Sequence, residues 1–249
     1  MAGVSSAEVV LRDVAIVGGG CYGTFYAGQL MQARARGKAA YRRLLVIDRD
    51  PECRFAREIG PGDDRELVVD EWDGFFDRWL ARGDAGSGDA IVPSPLMPHL
   101  MFGWLVRRAR ARWPGRAVEQ QPLDPSADTP YDTLAPDGTR YVSYADWLCP
   151  VHCIEPATCP VIRAPRSWEM SNAATRLVER RASRTPSAGP VLFVCRHRVH
   201  GVGMFDVSSV LAGDATVAVA GERGEVGVVV GTVSACHGAL SLLHLGPPG

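Results

Sequence analysis

The chain has 249 residues, 46% of them apolar and 22% charged, the composition of a folded globular protein long enough to bury a full core. A net charge of −1 supplies no basic field for nucleic acid or an anionic membrane surface, so neither is an expected partner. Lys38 is the single lysine; a phosphate-binding P-loop and a Schiff-base enzyme each need a lysine in a defined place, and both classes fall away.

The opening MAGVSSAEVVLRDVAIVGGGC has no basic segment ahead of its apolar run, which Arg12 and Asp13 interrupt, so no signal peptide is expected. Val14–Val17 is a continuous apolar run of the kind found in buried parallel strands. A helix follows from Cys21 to about Arg36, and Leu44–Ile47 is a second buried strand. Glu66–Val69 reads as a strand, Trp72–Leu80 as a helix, Ala90–Val92 as a short strand ended by Pro93 and Pro95, and Leu100–Trp113 as a helix. Its arginines 107, 108, 110 and 112 are expected to form a solvated face. Residues 122–138, rich in Pro, Asp and Thr, read as a loop. Arg140–Ala145 alternates as a strand does, and 149–166 is too punctuated by Cys and Pro for regular structure. Trp168–Ala182 is a helix, Val191–Cys195 a strand, Val207–Ala220 a helix and Glu225–Val233 a last strand. The uncharged stretch from Val226 onward contains histidines, glycines and prolines and fits a buried strand followed by a short helix better than a membrane span. The tails 1–8 and 245–249 are expected to be loose. A cytoplasmic location is expected, with the seven cysteines reduced, metal-bound or catalytic rather than paired.

Strands separated by helices predict a doubly wound, mostly parallel α/β sheet in a single domain over residues 1–249, with a nucleotide-binding unit at about 10–120, a cysteine- and proline-rich excursion at 145–168 and a C-terminal α/β part at 169–245. Between the first strand and first helix, Gly18, Gly20 and Gly23 supply G-x-G-x-x-G within Gly18-Gly19-Gly20-Cys21-Tyr22-Gly23. The first glycine permits a tight turn, the second close approach to a pyrophosphate, and the third close packing of helix on strand, with the helix N-terminus presenting N–H groups to the phosphates. The second strand ends in Asp48, 25 residues after Gly23, where a carboxylate can accept from ribose hydroxyls; the neighbouring Arg49 leaves NAD, NADP and FAD all open. Over roughly its first 50 residues the chain resembles the Rossmann superfamily of NAD(P)- and FAD-binding proteins, which implies a Rossmann-type sheet and a dinucleotide held at Gly18–Gly23, Asp48 and Arg49.

The second signal is cysteine. Cys149, Cys153 and Cys159 lie in CPVHCIEPATCP with His152 among them; thiolates on a stiff loop suit zinc or an iron–sulfur cluster, although the spacing matches no common motif and a fourth ligand must come from elsewhere. Asp146 and Glu155 flank the loop as possible proton carriers. Cys195, followed by His197 and His200, ends one strand, and Cys236 with His237 follows another. Ligands bind beyond the carboxyl ends of parallel strands, so Cys21, Cys195 and Cys236 are expected at one sheet edge, with Cys236, His237 and Cys195 as catalytic candidates. The expected function is that of an NAD(P)- or FAD-dependent oxidoreductase acting on a small-molecule substrate or an electron-transfer partner. A non-catalytic regulatory nucleotide module and a structural zinc protein are the alternatives.

Overall fold

The computed structural model describes residues 9–150 and 153–248; residues 1–8 and His152 lie outside them. In chain order the elements are β1 (Val9–Val10), β2 (Asp13–Val17), α1 (Cys21–Ala35), β3 (Ala39–Ala40), β4 (Arg43–Asp48), α2 (Arg54–Glu58), β5 (Arg65–Val69), α3 (Trp72–Leu80), β6 (Ala90–Val92), α4 (Leu100–Arg112) and β7 (Val118–Gln121). They continue with β8 (Tyr131–Leu134), β9 (Arg140–Ser143), α5 (Met170–Ala182), β10 (Ser187–Val194), β11 (Arg196–Val199), β12 (Val202–Asp206), α6 (Val207–Glu222), β13 (Val226–Val233) and β14 (His237–Leu245). They gather into two compact units. The first combines the chain up to Met97 with Arg196–Ser208, and the second combines Pro98–Cys195 with the chain from Ser209 onward.

In the first unit the sheet order is β11-β12-β6-β2-β4-β5. β6, β2, β4 and β5 run parallel, whereas β12 joins β6 and β11 joins β12 antiparallel. A separate pair, β1 with β3, is parallel. All five residues of β2 are buried, because a central strand covered on both faces loses its polar side. Ala27, Leu30 and Ala33 of α1 pack with Val14, Ile16, Leu44 and Val46, and Val199, Val202 and Met204 of the β11–β12 hairpin close the same core. The amino end of this sheet is tied by charge. Asp13, fully buried, pairs with Arg42 at 2.7 Å, Arg43 at 2.7 Å and Arg82 at 3.3 Å. Arg82 also reaches buried Asp89 at 3.1 Å. Burial opposes ionisation of Asp13, but the hydrogen bonds from Arg42 and Arg43 outweigh it and hold the carboxyl far below its ordinary range.

In the second unit the order is β10-β13-β14-β9-β8, with β7 also on β14. Only β10–β13 is a parallel pair; β13–β14, β14–β7, β14–β9 and β8–β9 are antiparallel. β14 gives one edge to β13 along its whole length and shares the other between β9 at Ala239 and Leu240 and β7 at Leu242 and Leu243. Met170, Ala173, Ala174 and Leu177 of α5 cover Val229, Val233, Leu240 and Leu242.

The expected doubly wound, mostly parallel sheet is therefore corrected. The chain builds one mixed sheet and one predominantly antiparallel sheet instead. Three local readings account for the difference. The stretch after β13, expected to be a short helix and a loose tail, is the strand β14, buried from Ala239 to Leu243. Residues 196–206 form a hairpin rather than a loop, and the expected loop at 122–138 contains β8. The arginines of α4 are not a purely solvated face either: Arg108 and Arg112 both pair with Asp214 of α6 at 3.0 Å. No helix among the described residues is long and apolar enough to cross a membrane.

Candidate functional site

Each unit carries one of the constellations read from the sequence. In the first, the chain leaves β2 through Gly18, whose φ of +86° suits glycine, and whose N–H donates to the Ile47 carbonyl at 2.8 Å. Gly19 donates to Asp48 Oδ2 at 2.6 Å, while Oδ1 of the same carboxylate accepts from the Asp50 N–H at 2.9 Å. Asp48 thus shapes the loop itself, a role that its position at a strand end does not reveal. Gly23 brings the helix onto the turn so closely that a Cβ there would stand 1.7 Å from the Gly18 carbonyl oxygen. At Gly20 the opposite holds: a Cβ would meet nothing within 4 Å. Gly20 is also the N-cap of α1, which has no side-chain cap and no acidic residue in its first turn. Cys21 and Tyr22 are exposed beyond it, and Arg49 is exposed beside Asp48. The predicted loop residues, with Asp48, therefore do converge, on an open face at the carboxyl end of the parallel strands. Between α1 and α2 lies a groove of about 460 Å³ whose lining includes Cys21, Phe25, Gln32, Arg54 and Ile59; Arg54 donates to Cys21 Sγ at 3.4 Å.

In the second unit the turn between β13 and β14 is the organising feature. Glu155 reaches under it: one carboxylate oxygen accepts from Ser234 Oγ at 2.6 Å and from the Cys236 N–H at 3.1 Å, the other from the Ala235 N–H at 2.9 Å. The expected proton carrier is a cap for three donors of one turn. Cys236 itself accepts the Trp168 indole N–H at 3.2 Å, and burial pushes its thiol up to about 11. His237 stands directly opposite Ser143 in the β14–β9 register, and their side chains meet, Nδ1 to Oγ, at 2.9 Å. The other ring nitrogen, Nε2, lies 3.8 Å from Cys149 Sγ. Desolvation of its ring lowers the His237 pKa from its ordinary value. Burial likewise raises the Cys149 thiol, aided by the nearby Cys153 and Cys159 thiols and the Glu155 carboxylate.

Cys149 is thereby brought to His237. Ser143, which no motif marks, completes the line; the only signal that could have found it is strand register. Cys153 Sγ accepts the Glu155 N–H at 3.4 Å, and Cys159 is buried. Among the described residues no three His, Cys, Asp or Glu side chains converge on a metal position. Cys195 directly follows β10 and donates its N–H to the Val233 carbonyl at 2.7 Å, so Cys195 and Cys236 do follow the carboxyl ends of two neighbouring parallel strands. Cys21 opens α1, after β2 of the other sheet. The expectation of one edge shared by all three cysteines is corrected, because that edge required a single sheet.

Residues 101–246 match the family described as "Uncharacterized protein, C-terminal domain". No curated protein and no solved structure matches the chain.

Proposed function

The chain belongs to the family described as "Uncharacterized protein, C-terminal domain", whose matched region leaves the glycine loop outside it, and we propose that this loop makes the protein a dinucleotide-dependent oxidoreductase. The observation that carries the reading is the closure of Gly23 onto Gly18 with an empty face left at Gly20. Such a turn brings bare backbone and the positive end of a helix dipole to one place, the arrangement that suits a pyrophosphate. The backbone N–H groups of Gly20, Cys21 and Tyr22 hold the phosphates in this reading. Asp48 keeps lone pairs for a ribose hydroxyl after its two backbone bonds, and Arg49 stands beside it for an added phosphate. NAD(P) or FAD, when bound, supplies two-electron chemistry toward a small-molecule substrate or an electron-transfer partner.

Calorimetric titration of the full chain with NAD, NADP and FAD tests this. Gly20→Leu, which fills only open space, is expected to keep the native circular dichroism spectrum and melting temperature and to lose nucleotide binding. Binding unchanged in that variant, or no binding of any dinucleotide by the wild-type chain, would overturn the assignment. Nucleotide is also expected to slow alkylation of the exposed Cys21 thiol.

A further inference from the structure

We propose that the second unit carries a nucleophilic thiol, Cys149, with His237 as its base and Ser143 as the group that orients the base, and that it accepts an acyl group borne on an apolar chain. Three side chains from separate parts of the sequence stand in line at 3.8 Å and 2.9 Å. This is the order of contacts that thiol acyl transfer requires: nucleophile, imidazole, orienting partner. Ser143 Oγ lies 2.9 Å from the Ala145 carbonyl oxygen and donates to it. The same oxygen accepts the Ala145 N–H at 2.8 Å, and its second lone pair accepts from Nδ1–H of His237, which leaves the lone pair of Nε2 facing the thiol.

The step balances without an oxidant. Cys149 Sγ bonds to the carbonyl carbon, its proton passes to His237 Nε2, the bond from that carbon to the leaving oxygen or sulfur breaks, and the imidazolium returns the proton to the departing group. The product is a thioester on Cys149. Neighbouring Cys236 is unsuited to the role, since its Sγ is held by the Trp168 indole N–H at 3.2 Å. The apolar preference comes from the surroundings. Leu148, next to Cys149 in the chain, is 95% exposed, and Ile154, Val161 and Ile162 of the same loop are exposed as well, so the segment that carries the thiol offers bare aliphatic side chains.

The test uses the full chain with p-nitrophenyl acetate and p-nitrophenyl hexanoate, following p-nitrophenolate release and locating the acyl group by peptide mass spectrometry. One acyl group per chain on Cys149 is expected, faster from hexanoate than from acetate. Cys149→Ser abolishes it, and His237→Gln slows it by at least about 100-fold. Ser143→Ala slows acylation and Ser143→Thr, which keeps the hydroxyl, restores it. Acylation spread evenly over the cysteines, or unchanged in His237→Gln, would overturn the proposal. Should a variant lose its native circular dichroism spectrum, the wild-type chain decides alone: Cys149 must be acylated faster than the exposed Cys21 in the same sample, and equal rates reject the site. Neither result depends on dinucleotide binding.

Discussion

A single methyl group separates two glycines of the same loop. At Gly23 it would overlap the Gly18 carbonyl oxygen, and at Gly20 it would touch nothing. Gly23→Ala is therefore expected to cost at least about 3 kcal/mol by forcing the helix off the strand, while Gly20→Ala stays within about 0.5 kcal/mol of wild type; urea unfolding of the two variants measures both. His99, at the N-cap of α4, is a second residue with a sharp expectation. Its ring bonds Ser241 Oγ at 2.9 Å, and burial lowers its pKa to about 4. The unfolded chain takes up a proton near pH 6.5 that the folded chain refuses until about pH 4. Stability should therefore fall by about 3 kcal/mol as pH drops through that window. His99→Gln should flatten the slope there, and an unchanged slope would show that the ring is not held neutral. At this scale the sequence was legible where conformation is local, as in the turn at Gly18–Gly23. It was silent on the Ser143–His237–Cys149 line, because that line depends on pairing between residues 94 positions apart.

Elements with a polar end and apolar middle were read well: β2, α1, β4 and α3 each fall within a residue or two of their expected limits. The failure at β14 is instructive. His237–Leu245 is buried from Ala239 to Leu243 on both faces, so neither a period of two nor one of 3.6 is visible, and its alanine and leucines favour a helix in isolation. Sheet pairing on both edges overrides that preference. The β11–β12 hairpin escaped notice for the opposite reason, since its first strand carries Arg196, His197 and Arg198 and resembles a solvated loop. The amino end of the first sheet gives the element-scale prediction. Asp13 anchors β2 to three arginines, and Asp13→Asn should destabilise the protein by about 2–3 kcal/mol, less than for a fully buried pair because Arg42 and Arg43 are half exposed. Its depressed carboxyl pKa contributes stability that is fully present above about pH 4 and lost below it. Acid unfolding below pH 4 should accordingly be less steep in Asp13→Asn than in wild type.

At the scale of the molecule, the first unit is discontinuous. Its sheet continues past β6 only when Val202–Asp206 arrives, and its core is short of Val199, Val202 and Met204 without that return. A fragment ending at Met97 is expected to expose apolar surface and bind a hydrophobic dye. Co-expression with a chain supplying residues 196–208 should reduce that binding, and a compact, dye-free fragment would show that the hairpin is dispensable. The same discontinuity sets an order of events at the ribosome. β6 ends at Val92 and its partner begins at Val202, so at ordinary rates of synthesis one edge of the nascent sheet waits about 5–20 s for its neighbour. During that interval the glycine loop has already emerged on an unfinished scaffold. The loop gains its finished sheet only after nearly all of the intervening chain has been made.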